Sequence, residues 1–331
     1  MKFLIAGFGS IGRRHFRNLL HLGEEDILFY STNQSTIEKD EISGYVIESN
    51  LDQALAHKPD AVIVSNPTSL HLDVAIPAAR AGCHLLIEKP LSHDLERIDE
   101  LSKILDQTGK KVLLGFQFRY HPGLQLISKL LSEGEIGIPL SVRAHWGEYL
   151  PNWHPWENYQ AGYSARADLG GGVLLTLCHP LDYLRWLFGE IKVVQGFLGS
   201  SGDSGLTDVE DTAEINLKFE NEMIGSVHLN YNQRPPAHTL EIIGSEGTVY
   251  WNGIDGELKV FQASSGKWKD YPLPLIFDRN DLFLSEMAHF LDVTKTDLIP
   301  ICSLVDGITV QQIIHSVKKS HREDRVIDLS I

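Results

Sequence analysis

The residues of this chain whose types and spacing could do chemistry begin at Gly7-Phe8-Gly9-Ser10-Ile11-Gly12. Glycines at the first, third and sixth places suit a diphosphate. The first permits a tight turn, the second lets a pyrophosphate approach the backbone, and the third allows close helix–strand packing. The flanks fit: Lys2-Phe3-Leu4-Ile5-Ala6 reads as a buried strand, and the following helix places Ile11, His15, Phe16, Leu19 and Leu20 on one face. The N–H groups and dipole of a helix start favour anions. Gly7, Gly9, Ser10, Ile11 and Gly12 are therefore expected to hold a dinucleotide. Its identity turns on the end of the second strand, Ile27-Leu28-Phe29-Tyr30. An Asp or Glu there usually holds the ribose of NAD. This chain has Ser31-Thr32-Asn33, and Asp26 lies at the wrong end of the strand. Arg13, Arg14 and the hydroxyls of Ser31 and Thr32 suit a 2′-phosphate, so the expectation is NAD or NADP with a tilt to NADP.

The elements that must position this loop follow from periodicity. Short apolar strands recur at 60–65, 84–87 and 112–115, with helical stretches at 70–81 and 95–105 between them. Strict alternation predicts right-handed crossovers and a doubly wound parallel sheet, of the α/β class. After about residue 120 the period changes to two. Ile215, Leu217 and Phe219 alternate with polar neighbours, as do Val227, Leu229 and Tyr231, with further strands at 142–146, 239–243 and 248–251. One helix is expected at 174–187 and two more at 282–293 and 308–318. These features predict a Rossmann domain over 1–120 and an α+β domain with a largely antiparallel open sheet over 121–331.

Composition narrows the function classes. The length of 331 residues fits about two domains at ~150 residues each. With 29 basic against 44 acidic residues the net charge is −15, which repels a phosphate backbone or an anionic membrane. The densest basic run, Lys318-Lys319 with His321-Arg322, reads as a solvated helix end, so no nucleic-acid partner is expected. Cys83, Cys178 and Cys302 are odd in number and far apart, which suits a reducing cytoplasm. The apolar start stops at Gly7, short of a signal peptide's core, and no run approaches the ~20 residues of a membrane span. Fifteen histidines include no HExxH and no Cys/His cluster, so no metal requirement is expected.

Glu88-Lys89-Pro90 lies at the carboxyl end of the strand at 84–87, where ligands of such sheets gather. Alone, a lysine before proline is more often a turn residue. Together with the glycine loop, Ser65-Asn66-Pro67-Thr68 and His71, the run Phe118-Arg119-Tyr120-His121-Pro122, and the segment from Gly170-Gly171-Gly172 to Cys178-His179-Pro180-Leu181-Asp182, it resembles the glucose–fructose oxidoreductase/inositol dehydrogenase (Gfo/Idh/MocA) family. The resemblance covers essentially the whole chain. It implies a nicotinamide-dependent oxidoreductase acting on a sugar, sugar derivative or cyclitol, and a homo-oligomer, dimer or tetramer. It also implies that Ser65, Asn66, Pro67, His71, Glu88 and Lys89 line the cofactor, that Lys89 contacts the reacting hydroxyl and that His179 handles its proton. The chemistry is coherent: alcohol oxidation loses a hydride and a proton, and the oxygen gains negative character between.

One departure from the family stands out. Many members carry an aspartate one turn before the histidine, where this chain has Thr176 or, counted back from His179, Leu175. Asp182, three residues after His179, is read either as orienting the imidazole or as a solvated helix residue or cap partner. The aromatic stretch Tyr149–Tyr159 with Trp153 and Trp156, then Tyr163 and Arg166, suits a sugar ring, packing on its C–H face while polar groups meet its hydroxyls. Arg119, His121, Thr176, Lys89 and His179 complete the expected substrate site. Two rival readings remain: a glycosidase using tightly held NAD through transient oxidation and elimination, and a non-catalytic dinucleotide sensor.

Overall fold

The computed structural model describes residues 1–32, 40–153, 158–201, 205–206, 208–272 and 277–329. The chain forms two compact units. The first is built from β1 (Phe3–Ala6), α1 (Ser10–His21), β2 (Ile27–Tyr30), β3 (Val46–Glu48), α2 (Leu51–Ala56), β4 (Ala61–Val64), α3 (His71–Arg80), β5 (His84–Glu88), α4 (Ile98–Thr108) and β6 (Val112–Gly115). Its six strands pair in parallel in the order β3-β2-β1-β4-β5-β6. This is the doubly wound parallel sheet expected from the alternation, with the topological switch between β1 and β4. Continuous apolar runs are its cause: Phe3-Leu4-Ile5-Ala6 and Ala61-Val62-Ile63-Val64 are buried at every position.

The second unit contains α5 (Pro122–Ser132), β7 (Pro139–Tyr149), α6 (Val173–Thr176), α7 (His179–Phe188), β8 (Ile191–Gly199), β9 (Thr212–Phe219), β10 (Ile224–Asn230), β11 (Asn232–Gly244), β12 (Gly247–Asn252), β13 (Leu258–Gln262) and β14 (Lys267–Asp270). The chain then forms α8 (Arg279–Lys295), α9 (Leu304–Glu323) and the short β15 (Ile327–Asp328). Nine strands run β14-β13-β12-β11-β7-β10-β9-β8-β15. Every pairing is antiparallel except β7 with β10. Along β9, Ala213, Ile215, Leu217 and Phe219 are buried and the residues between them are not, the two-residue period of a sheet covered on one face.

Several expectations need correcting. The helix anticipated over 174–187 is two helices, broken at Leu177-Cys178. Pro180 is the reason: it has no N–H for the carbonyl of Thr176, and its ring would clash with that carbonyl. On α1 the buried face carries Asn18, while Leu20 is 36% exposed. At 100° per residue Leu20 lies 140° from His15, outside the stripe that Leu19 and Phe16 share with it. Strand β3 escaped notice because Val46 and Ile47 are exposed and form no apolar run of strand length.

The spatial grouping also departs from a continuous division near residue 120. Asp168–Gly170 and Arg279–Gln311 belong to the first unit. The backbone N–H of Leu114 donates to the Cys302 carbonyl at 3.0 Å, and Gly307 comes so close that a Cβ would meet the Leu114 side chain at 2.7 Å. From α8, Asn280 donates to Asn18 at 2.9 Å. A returning segment of this kind has no local sequence mark. No helix among the described residues is long and apolar enough to cross a membrane.

Candidate active site

In the first unit the glycine loop, the Ser65–His71 segment and Glu88-Lys89 lie at the carboxyl ends of three adjacent strands, β1, β4 and β5. Gly7 follows β1 with φ +99°, and a Cβ there would lie 2.7 Å from the Asn66 nitrogen, so the turn packs directly on the β4 loop. A Cβ on Gly12 would overlap the Gly7 carbonyl oxygen and lie 2.9 Å from Ser65 Oγ. Ser65 in turn donates to the carbonyls of Ala6 at 3.1 Å and Gly7 at 2.9 Å. Gly9 differs from both, since a Cβ there would touch nothing within 4 Å. Packing demands Gly7 and Gly12 but does not demand Gly9. Helix α1, opening at Ser10 and Ile11, starts with no side-chain cap and no acidic residue in its first turn. These features together fit a pyrophosphate lying against Gly9 and the helix start.

The β4 loop is braced from below. His71 is buried, and its ring nitrogens face the Pro90 carbonyl at 2.9 Å and the Asn66 carbonyl at 3.0 Å. Burial lowers its pKa while the two carbonyls and the Glu88 charge oppose that shift, and the ring lies between the Ser65–Pro67 loop and the Lys89–Pro90 turn. Asn66 donates to the Leu70 carbonyl at 3.0 Å, while its buried Oδ1 has no hydrogen-bond partner among the described residues. Pro67 precedes the turn Thr68–Leu70.

Lys89 is half-buried just past β5, and its backbone N–H donates to Glu88 Oε2 at 3.2 Å. Glu88 itself is buried, with Oε1 2.7 Å from His15 Nε2. Burial pushes its carboxyl up, but the His15 hydrogen bond and the charges of His15 and Lys89 outweigh that and hold it below its ordinary value. Glu88 thus supports Lys89 from inside the sheet.

The residues behind the NADP tilt are placed differently. Arg13 pairs with Glu41 at 3.3 Å, a carboxylate that also takes Arg17 at 2.7 Å. The Arg17 hydrogen bond lowers the Glu41 pKa against its partial burial, so this acid stays ionised. Arg14 lies 4.5 Å from the Phe283 ring and donates to Asn280 at 3.2 Å. Ser31 is buried with its N–H on the Glu48 carbonyl at 3.0 Å, and Thr32 is exposed. Residue 33 lies outside the described residues.

In the second unit His179 opens α7. It is 2% exposed, with its ring centroid 5.0 Å from Phe118 and 5.4 Å from Trp146. Trp146 stacks on His238 at 4.4 Å. Asp182 is not solvated: it is 1% exposed and grips Arg119, which donates from Nε at 3.0 Å and Nη2 at 2.7 Å. Arg119 is 3% exposed, so this is a buried, two-pronged ion pair. His121, expected to meet substrate, accepts from the Gly123 N–H at 3.0 Å as the cap of α5 and packs 5.1 Å from Trp251. Burial lowers its pKa to about 4, leaving a neutral imidazole suited to that acceptor role.

The remaining expected contacts form a second group. Thr176 is buried and interacts with the Tyr231 hydroxyl, which reaches the Ser164 carbonyl at 3.4 Å. Trp153 meets Tyr231 edge to face at 5.6 Å, and its buried Nε1 has no partner among the described residues. Tyr163 is 39% exposed and Arg166 is exposed. Trp156 lies outside the described residues. Sequence reasoning missed Glu210, whose carboxylate accepts the Leu174 N–H at 3.1 Å beneath Gly172. It also missed Tyr231 as a partner of Thr176. Neither belongs to a motif: Glu210 lies just before β9 and Tyr231 between β10 and β11, both distant in sequence from the residues they meet.

Comparison with known proteins bears on the whole chain. Residues 1–116 match the model of an oxidoreductase family with an NAD-binding Rossmann fold, and residues 124–250 match the GFO/IDH/MocA C-terminal domain. An uncharacterized oxidoreductase of Synechocystis sp. is 31% identical over 83% of this chain and 81% of its own length. The myo-inositol 2-dehydrogenase of Thermotoga maritima is 25% identical over 99% of this chain and 98% of its own. The structure of a levoglucosan dehydrogenase in complex with NADH and levoglucosan superposes with a TM-score of 0.87 at 22% identity, covering 100% of both chains. The glycine loop on its parallel sheet, the antiparallel second sheet and these matches together make the chain a member of the NAD-binding GFO/IDH/MocA oxidoreductase family.

Proposed function

We propose that this oxidoreductase transfers a hydride between a sugar or cyclitol hydroxyl and NAD. The observation that carries this reading is the gathering of Gly9, Asn66 and Lys89 at the carboxyl ends of adjacent parallel strands, in a chain of this family. Bound there, the nicotinamide supplies the hydride acceptor. The residues do the rest. Lys89 donates to the alcohol oxygen and stabilises the negative character it gains as the C–H bond breaks. His179 accepts the hydroxyl proton, so the alcohol loses one hydride and one proton and leaves as a carbonyl. Arg119 and Asp182 act as a positioning pair, holding the segment before α5 to the first turn of α7, one turn from His179. The test is appearance of reduced-nicotinamide absorbance with NAD and a panel of sugars and cyclitols, myo-inositol and levoglucosan among them. No reduction with any member of the panel, by protein that binds NAD, counts against the proposal.

NAD is preferred over NADP in this reading because Arg13 and Arg14 already have partners in Glu41, Phe283 and Asn280. Fluorescence titration is expected to show NAD binding at least about tenfold more tightly, about 1.4 kcal/mol. Equal or tighter binding of NADP would return the 2′-phosphate role to those arginines. The loop offers a second check. A Cβ at Gly9 touches no protein atom, so Gly9→Ala should leave the melting temperature unchanged while raising the Kd for NAD at least about tenfold. An unchanged Kd would place the pyrophosphate elsewhere.

A further inference from the structure

Behind the Glu88–Lys89 segment, three ionisable side chains of the first unit come together from α1, β5 and α8. Ligand-type atoms of His15, Glu88 and Glu286 all lie within 4.8 Å of one another, and the residues are 0%, 6% and 0% exposed. His15 and Glu88 are joined at 2.7 Å. Glu286 is different: neither carboxylate oxygen has a hydrogen-bond partner among the described residues. Among the described residues, the other charged or titratable groups on this side include Lys89, next to Glu88, His71, which also feels the Glu88 charge, and Arg14 of α1, which lies over Phe283 one turn before Glu286.

A buried carboxylate with no donor is strongly disfavoured, and a second carboxylate beside it makes ionisation of both worse. Either a cation or a proton must cancel the charge. The geometry favours the proton. His15 and Glu88 already stand at hydrogen-bond length, and the cluster offers three donor atoms where a closed metal site uses four. Burial first, and the Glu88 charge second, raise the Glu286 pKa well above its ordinary value.

We propose that Glu286 is a buried carboxylic acid that takes up one proton when the chain folds, lowering by one the negative charge of the cluster behind Lys89. On the reading of Lys89 given above, this proton leaves Glu88 as the ionised carboxylate of the cluster next to the lysine that stabilises the reacting oxygen.

The test is denaturant unfolding of the full chain from about pH 5 to about pH 8, wild type against Glu286→Gln. In the unfolded chain a glutamate ionises near pH ~4.3. Above that, the folded wild type holds one proton more than the unfolded, so its stability falls as pH rises until the folded pKa is passed. Glutamine has no such proton. The unfolding constant of wild type relative to Glu286→Gln should therefore rise about tenfold per pH unit. A ratio flat with pH overturns the proposal, and so does stoichiometric metal in the purified protein. Should the variant not fold, infrared spectroscopy of wild type carrying carboxyl-labelled glutamate decides. A protonated carboxyl band that persists at alkaline pH supports the proposal, and its absence overturns it. None of these readouts uses turnover, so they stand even if Lys89 proves to have another role.

Discussion

Replacing Lys89 by alanine is expected to lower turnover by ~10²–10⁴-fold, the scale of a lost acid–base or oxyanion-stabilising group, while the Kd for NAD changes little. The separation of the two effects follows from where binding energy comes from. In this reading the backbone around Gly7–Gly12 and the β4 loop carries the pyrophosphate, and the Lys89 side chain meets the reacting oxygen. The alanine should fold normally, because Lys89 is half-buried and the Glu88 contact uses its backbone N–H. Lys89→Arg is a sharper variant. It keeps the positive charge but is planar and wide where the ammonium is compact, so its donors miss the reacting oxygen and most of the loss should persist. His179→Ala should cost turnover on the same scale, with a melting curve run beside it because the ring packs on Phe118 and Trp146. Near-wild-type turnover of Lys89→Ala, measured with saturating NAD, would remove Lys89 from the chemistry.

The largest stability effect is expected at Arg119 and Asp182. Both are essentially buried, and two N–H groups of the guanidinium meet the carboxylate at 3.0 and 2.7 Å. Removing one partner strands the other charge in the interior, which costs about 3–5 kcal/mol. Arg119→Ala and Asp182→Ala should each lower the unfolding free energy by that amount in urea. The paired replacement Arg119→Met with Asp182→Leu should recover most of it, since apolar side chains of similar volume need no charge partner. The alternative, that Arg119 is a substrate ligand, predicts the opposite pattern: a raised KM with unfolding unchanged. A stability loss under about 1 kcal/mol for Arg119→Ala would favour that alternative.

Some elements were legible because their cause is local. The strands at 61–64 and 112–115 are apolar at every position, and only a sheet covered on both faces buries them so completely. The glycine loop was legible for the same reason, as a turn whose residue types follow from backbone shape. The family resemblance added Lys89 and His179, each placed at an element end, the one past β5 and the other opening α7. The break before His179 was legible in principle, because Pro180 cannot continue a helix from Thr176, yet a run of apolar residues concealed it.

Partnerships were not legible. Asp182 read either as an orienter of His179 or as a solvated or cap residue, and the fold pairs its carboxylate with Arg119, 63 residues distant. Arg13 and Arg14 looked available for a phosphate, and the fold engages them with Glu41 and Asn280. Glu286 had no motif at all until α8 returned to pack on α1 beside Glu88. By itself the sequence determined the buried strands of the parallel sheet, the glycine loop and the family, because these depend on periodicity and on residue types at short spacing. Only the tertiary structure decided which charges are already neutralised and which polar atoms stay unmatched. A hydrogen bond or ion pair depends on distances of a few ångströms between residues that the chain separates by tens or hundreds of positions.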